Sequence, residues 1–318
     1  MEMFLSCDWG TSAFRLKLVQ ADNLSTLAET RGDFGIADTY HLWMQQQECG
    51  VSRQAFYTAT LKAQIDILSQ KAGLSLDDVP VMLSGMASST IGLMELPYKK
   101  LPFDLSGTDL LVNVLNTDGT NPLIVISGVR TGDDVMRGEE TKVLGCASVL
   151  AERNNEQFLV LPGTHPKHIV VRDNQAVDFK TYMTGEFFNL LVSQSVLSAS
   201  VEAGGDFNEP ENQACFCEGV KASGTSNLLH AAFMVRTNQL IKKLPKHQNF
   251  YYLSGLVIGA ELRNIPSRIP VYLIGGALHT TLYTTALQEL EIPIAKRIDA
   301  DLALLRGQQL VFSTRYSR

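Results

Sequence analysis

Apolar and polar positions alternate in short runs along the first twenty residues. Residues 4–7 predict a strand, Asp8-Trp9-Gly10-Thr11-Ser12 a polar turn, and residues 14–19 a second strand in which Arg15 and Lys17 alternate with Phe14, Leu16 and Leu18. A hairpin therefore opens the chain. Residues 57–71 put Leu61, Ile65 and Leu68 on one helical face, with Gly73 as terminator. Residues 80–85 and 122–128 predict buried strands, and residues 93–111 are ambiguous, with substantial loop expected. A second hairpin is expected from strands at 158–161 and 167–171 around a turn at 162–166, followed by a strand at 176–179. Helical patterns follow at 186–196, 224–240 and 250–263, with 202–217 expected to be loop between the first two. Gly255 and Gly259, four apart in the last of these, predict a close helix contact. A strand at 270–274, a Gly275-Gly276 turn, and helices at 279–290 and 300–312 complete the chain.

Strands alternating with helices predict an α/β class. Gly10-Thr11 and Gly163-Thr164 lie 153 residues apart in similar polar turns, about half the chain. Two related halves would account for the match, and so would two ordinary hairpins.

The length of 318 residues allows about two domains, expected here as 1–152 and 153–318. Hydrophobic residues at 45% and charged residues at 19% describe a folded chain. A net charge of −6 argues against nucleic acid as a dedicated partner, and no run of 18 apolar residues predicts a membrane span. The five cysteines, at 7, 49, 146, 215 and 217, form neither a disulfide framework nor a zinc set. A soluble protein of a reducing, cytoplasmic compartment is expected. A homodimer is compatible with the sequence, which marks no interface.

Asp8 enters a Gly-Thr turn with Arg15 beyond it. A carboxylate there suits a divalent cation, with Gly10, Thr11 and Ser12 donating to phosphate oxygens; it equally suits an Asp that caps its own turn. The densest polar segment, 127–142, places Glu139 and Glu140 in a first helical turn, where the helix dipole favours ionised carboxylates suited to general-base work. Arg130 and Arg137 supply countercharge for an acidic ligand, or are surface arginines. His165 and His168 fall on opposite strand faces and make poor co-ligands. Gly275 and Gly276 sit at a strand end before a helix, where a planar base or ribose can approach closely or where a sharp turn simply needs glycine. Neither Gly-x-Gly-x-x-Gly nor a Walker A motif is present, which argues against a Rossmann dehydrogenase or a P-loop protein.

With those residues in place, the chain resembles the bacterial 2-dehydro-3-deoxygalactonokinase family, sugar-acid kinases of the actin, Hsp70 and hexokinase superfamily. The resemblance rests on Asp8-Trp9-Gly10-Thr11-Ser12, residues 83–86, Met136-Arg137-Gly138-Glu139-Glu140-Thr141, Pro162-Gly163-Thr164-His165, Met183-Thr184-Gly185-Glu186 and residues 253–261. It implies two ribonuclease-H-like domains around a nucleotide cleft that closes on its substrates, with ATP and Mg²⁺ as cofactors and a small-molecule sugar acid as partner. It further implies Asp8 at the metal, Gly10, Thr11, Ser12, Gly163 and Thr164 at the phosphates, and Gly275 and Gly276 at the adenosine. Glu139 becomes the first choice of base and Glu140 the second, with Arg15, Arg130, Arg137, Lys167 and Glu186 facing the acceptor. The implied reaction is phosphorylation of the 6-hydroxyl of 2-dehydro-3-deoxygalactonate. The alternatives are a kinase for a related acid, such as the gluconate epimer, and a nucleotide-responsive protein without turnover. The chain departs from the family after the first turn, at Ser12-Ala13-Phe14, and at Pro166, which has no backbone donor.

Overall fold

The computed structural model describes residues 2–46, 50–116, 121–150, 156–266 and 269–315. In chain order the elements are β1 (Met3–Trp9), β2 (Phe14–Gln20), β3 (Thr26–Gly32), α1 (Ile36–Gln45), α2 (Arg53–Ala72), β4 (Val81–Gly85), β5 (Lys99–Lys100), β6 (Phe103–Asp104), β7 (Val112–Leu115), β8 (Leu123–Ile126), β9 (Val129–Arg130), β10 (Val135–Met136) and α3 (Glu139–Cys146). The chain continues with β11 (Gln157–Leu161), β12 (Lys167–Arg172), β13 (Gln175–Thr181), α4 (Thr184–Gln194), α5 (Pro210–Thr225), α6 (Leu228–Leu240), α7 (Lys246–Leu262), β14 (Val271–Gly275), α8 (Ala277–Glu289), β15 (Ile294–Asp299) and α9 (Ala300–Arg315).

These elements pack as two units, one of Met1–Asn155, Arg172–Asp178 and Ala300–Arg318, the other of Glu156–Val171 and Phe179–Asp299. The boundary expected between 152 and 153 lies outside the described residues. Helix α9 groups with the first unit, whereas the sequence reading put 300–318 with the second.

In the first unit the sheet order is β3-β2-β1-β4-β8-β7. β1 runs antiparallel to β2 and parallel to β4, so Asp8 lies opposite Arg15 on one side and beside Ser84 on the other. Asp8 and Trp9 therefore continue β1 instead of forming a turn, because a partner strand on each side holds them extended. Alternation sorts the faces. Leu5, Cys7 and Trp9 pack with Tyr57, Leu61, Ile65 and Leu68, the apolar face of α2. Phe4, on the other face, stacks on Phe312 of α9 at 5.6 Å. Burial of each such side chain contributes roughly 1.5–3 kcal/mol. α3 and α9 cross closely, with Gly145 against the Ala303 backbone and Gly307 against that of Thr141.

A second six-stranded sheet has the order β15-β14-β11-β12-β13-β6. β11 is antiparallel to β12 and parallel to β14, which is parallel to β15. Both units are thus ribonuclease-H-like: a three-stranded meander followed by parallel strands. Between β13 and β14 the chain forms α4 to α7. The loop expected over 202–217 holds for 202–209, and its second half belongs to α5, which starts at Pro210 in the first turn, where the missing N–H costs nothing. The helix expected at 224–240 is the end of α5 and then α6, separated at Asn227, whose side chain accepts from the Leu229 amide at 2.9 Å. Gly255 packs on the Phe216 backbone and Gly259 on Val220, the close contact that their spacing predicts.

Candidate active site

The first turn of the first unit is shaped by α1. Gly10 and Thr11 direct their carbonyls inward to the amides of Ile36 and Ala37 at 2.9 and 3.1 Å. Thr11 and Ser12 are left exposed at the turn's surface, available to phosphate oxygens. The half-buried Asp8 carboxylate carries no hydrogen bond or ion pair to any described residue. Arg15 and Lys17 meet Asp301 instead, at 3.6 and 2.9 Å.

Two glycines connect Asp8 to the acidic helix. Gly85, at φ 87, sits so that a Cβ there would lie 2.8 Å from the Trp9 carbonyl oxygen and 3.4 Å from an Asp8 carboxylate oxygen. Gly138, at φ 104, would bring a Cβ to 3.0 Å from the Gly85 Cα. Both need the positive φ that side chains resist. Glu139 follows as the first residue of α3, half-buried, its carboxylate accepting from the Arg137 amide at 3.2 Å.

Glu140 differs sharply from its neighbour. It is wholly buried, accepting from the Gly138 amide at 2.6 Å and the Thr141 hydroxyl at 3.0 Å. Burial, with Glu139's charge second, pushes its pKa up to about 7. Glu140 is sealed from solvent, and the half-buried Glu139 carboxylate is the more accessible of the pair. Beneath them a polar network that the sequence does not reveal runs from Thr141 to Ser84 at 3.4 Å and from Ser84 to Gln308 at 3.0 Å.

Of the other cations in this unit, Arg137 donates to the Ser88 carbonyl at 2.6 Å and hydroxyl at 2.5 Å and lies over the Tyr98 ring at 4.2 Å. It is committed to the protein's own groups, against the expectation of a substrate contact. Arg130 is half-buried near the Thr131 carbonyl at 3.4 Å.

In the second unit, the 162–166 turn packs against the start of α4. Gly185 abuts the backbone of Gly163 and Thr164, and the Glu186 amide donates to the Thr164 carbonyl at 3.1 Å. Glu186 pairs with His165 at 2.5 Å, and the buried Lys167 donates to the His165 carbonyl at 2.7 Å. Lys167 and Glu186 thus shape the turn itself, while Thr164 stays exposed at its tip. A cavity of about 370 Å³ opens beside it, lined by Gly163, Thr164 and Gly185 at one end and Leu278 and His279 of α8 at the other, with Phe188, Phe250 and Ile258 among its apolar walls. Apolar walls with a few polar groups at one end suit a nucleoside carrying phosphates. Gly276 is exposed with open space where a side chain would project, and Gly275 is buried against Thr280.

Among the described residues no cluster of three or more His, Cys, Asp or Glu forms a metal cage. Mg²⁺ does not require one: it dehydrates reluctantly and is bound through one or two carboxylates plus phosphate oxygens. The unpaired, half-exposed Asp8 carboxylate fits that demand.

A 2-dehydro-3-deoxygalactonokinase of Escherichia coli (strain K12) is 30% identical over 295 residues, covering 90% of this chain and 89% of that protein. The Rhizobium meliloti (strain 1021) protein described as "Probable 2-dehydro-3-deoxygalactonokinase DgoK1" is 29% identical over 317 residues, covering 96% and 94%. A crystal structure from Sinorhizobium meliloti, provisionally described by the same kinase name, superimposes with a TM-score of 0.79 at 26% identity, over 98% of this chain and 97% of that one. Residues 8–311 match the family model for 2-keto-3-deoxy-galactonokinase, and the chain belongs to that family.

Proposed function

We propose that the protein transfers the γ-phosphoryl group of ATP to the 6-hydroxyl of 2-dehydro-3-deoxy-D-galactonate, giving the 6-phosphate and ADP. The observation that carries the assignment of residues is the half-buried Glu139 at the head of α3, joined to Asp8 through the Gly85 and Gly138 backbones. A primary alcohol is a weak nucleophile near neutral pH, so it needs alignment and a proton acceptor. Glu139 orients the hydroxyl and takes its proton as the new O–P bond forms and the bond to the departing ADP oxygen breaks. Thr11, Ser12, Gly163 and Thr164 donate to the phosphates, Gly275 and Gly276 face the adenosine, and Arg15 and Arg130 are the cations for the acceptor's carboxylate. Asp8 would hold magnesium, which when bound would offset charge on the transferring phosphoryl group.

The free thiols of Cys7, Cys146, Cys215 and Cys217 support a reducing, cytoplasmic setting. No helix among the described residues is long and apolar enough to cross a membrane. For the homodimer, α6 offers an exposed stripe of Leu229, Phe233 and Leu240 at helical spacing. Light scattering of wild type and Phe233→Glu tests it: a dimer lost in the variant supports this face, and a wild-type monomer rejects it.

The substrate is tested by ADP release across a panel of acids. Turnover on the galactonate derivative above its gluconate epimer supports the assignment. Preference for the epimer reassigns the acid, and ATP binding without acceptor-dependent ADP release rejects a kinase.

A further inference from the structure

A buried cluster in the second unit lies outside the roles assigned above. Glu261 of α7 accepts from His168 Nε2 of β12 at 2.9 Å and from the Tyr283 hydroxyl of α8 at 2.7 Å, one donor on each carboxylate oxygen. All three residues are at most 3% exposed. They are 93 and 22 residues apart from the central carboxylate in sequence, so only the fold brings them together.

Two of the three elements, α7 and α8, line the pocket, and the third, β12, leads out of the turn at one end of it. β12 follows the Gly163-Thr164 turn directly, and Lys167, the neighbour of His168, secures that turn through the His165 carbonyl. α8 follows Gly275-Gly276 and lines the pocket with Leu278, His279 and Tyr283. α7 lines it with Ser254, Val257 and Ile258. One carboxylate therefore ties the phosphate end of the pocket to its adenosine end.

The donors are well defined. His168 Nε2 faces the Glu261 carboxylate, and its Nδ1 is buried without a hydrogen-bond partner. Its ring is held by Tyr182 at 4.4 Å and Phe158 at 5.6 Å. Tyr283 keeps its proton, since burial and then Glu261 push its pKa well above the usual value.

We infer that Glu261 is a positioning residue that locks the phosphate turn at a fixed distance from the adenosine turn, an inference that rests on the kinase reading above. ATP spans both turns, and a ligand with two linked ends binds tighter than either end alone only when the receiving surfaces keep matching geometry. Breaking the lock removes that advantage and leaves each end's own contacts in place.

Calorimetry with ATP, adenosine and tripolyphosphate on wild type, Glu261→Gln and Tyr283→Phe provides the test. The expected result is an ATP dissociation constant raised about tenfold or more in both variants, with adenosine and tripolyphosphate each within twofold of wild type. Tyr283→Phe keeps the ring and decides alone if Glu261→Gln does not fold. ATP affinity unchanged in the folded Tyr283→Phe variant, or all three ligands weakened together, overturns the inference while leaving the kinase reading intact. A wild-type protein that binds no ATP overturns both.

Discussion

Gly138 meets Gly85 backbone to backbone: a Cβ on Gly138 would stand 3.0 Å from the Gly85 Cα. Since Gly85 flanks Asp8 and Gly138 precedes Glu139, this contact sets the spacing between the Asp8 and Glu139 segments. Gly138→Ala forces a side chain into φ 104 and pushes on β4. It is expected to lower stability by about 1–3 kcal/mol. Turnover should fall by about a hundredfold, the scale of a displacement near 1 Å. Denaturant unfolding and steady-state kinetics measure the two, and unchanged turnover would detach the glycine pair from catalysis.

Glu140 makes stability depend on pH. Its folded pKa is near 7 against an ordinary 4.5, so between those values the folded state holds a proton that the unfolded state has lost. Its contribution is fully present below about 4.5 and is lost as pH rises through 7, a cost on the order of 3 kcal/mol. Glu140→Gln keeps an acceptor for the Gly138 amide and cannot ionise. Relative to the variant, wild type should lose stability from pH 5 to pH 8; parallel profiles from thermal melts would mean that the carboxyl is not held neutral.

Arg137 is predicted to act as a brace. Arg137→Lys loses the paired contacts to Ser88 and the fit over Tyr98. The expected cost is about 2–4 kcal/mol, from charged hydrogen bonds and a ring contact. The KM for the sugar acid should stay within about twofold in the folded variant. A raised KM with undiminished stability would return Arg137 to the substrate.

Asp8→Asn keeps the shape of the side chain and removes the charge proposed to attract magnesium. The half-saturating Mg²⁺ concentration should rise while the fold, read by circular dichroism, is unchanged. An unaltered magnesium dependence would move the metal away from Asp8.

How far the sequence discloses this protein varies by element. The hairpin strands β1, β2, β11 and β12 are legible because alternation or an apolar run between glycine turns specifies them. β3 is not, since Thr30 is its one buried residue and an edge strand shows little contrast. α5 is hidden by a polar start at Pro210-Glu211-Asn212-Gln213 and by packing through Gly219 and Phe216 in place of a broad apolar stripe. At the candidate site, the acidic pair is readable as a pair, but its division into an accessible Glu139 and a sealed Glu140 depends on tertiary packing against α9. The Glu261 cluster has no local signature, because its members come from three distant segments.

Glu139 is proposed to take the proton from a sugar-acid hydroxyl during phosphoryl transfer from ATP. Acceptor-dependent ADP release from MgATP and 2-dehydro-3-deoxy-D-galactonate, compared between wild type and Glu139→Gln, tests it most directly. Wild type should release ADP robustly and the variant should lose about 10²-fold or more in kcat, with ATP affinity retained. Near-normal turnover by Glu139→Gln would contradict it.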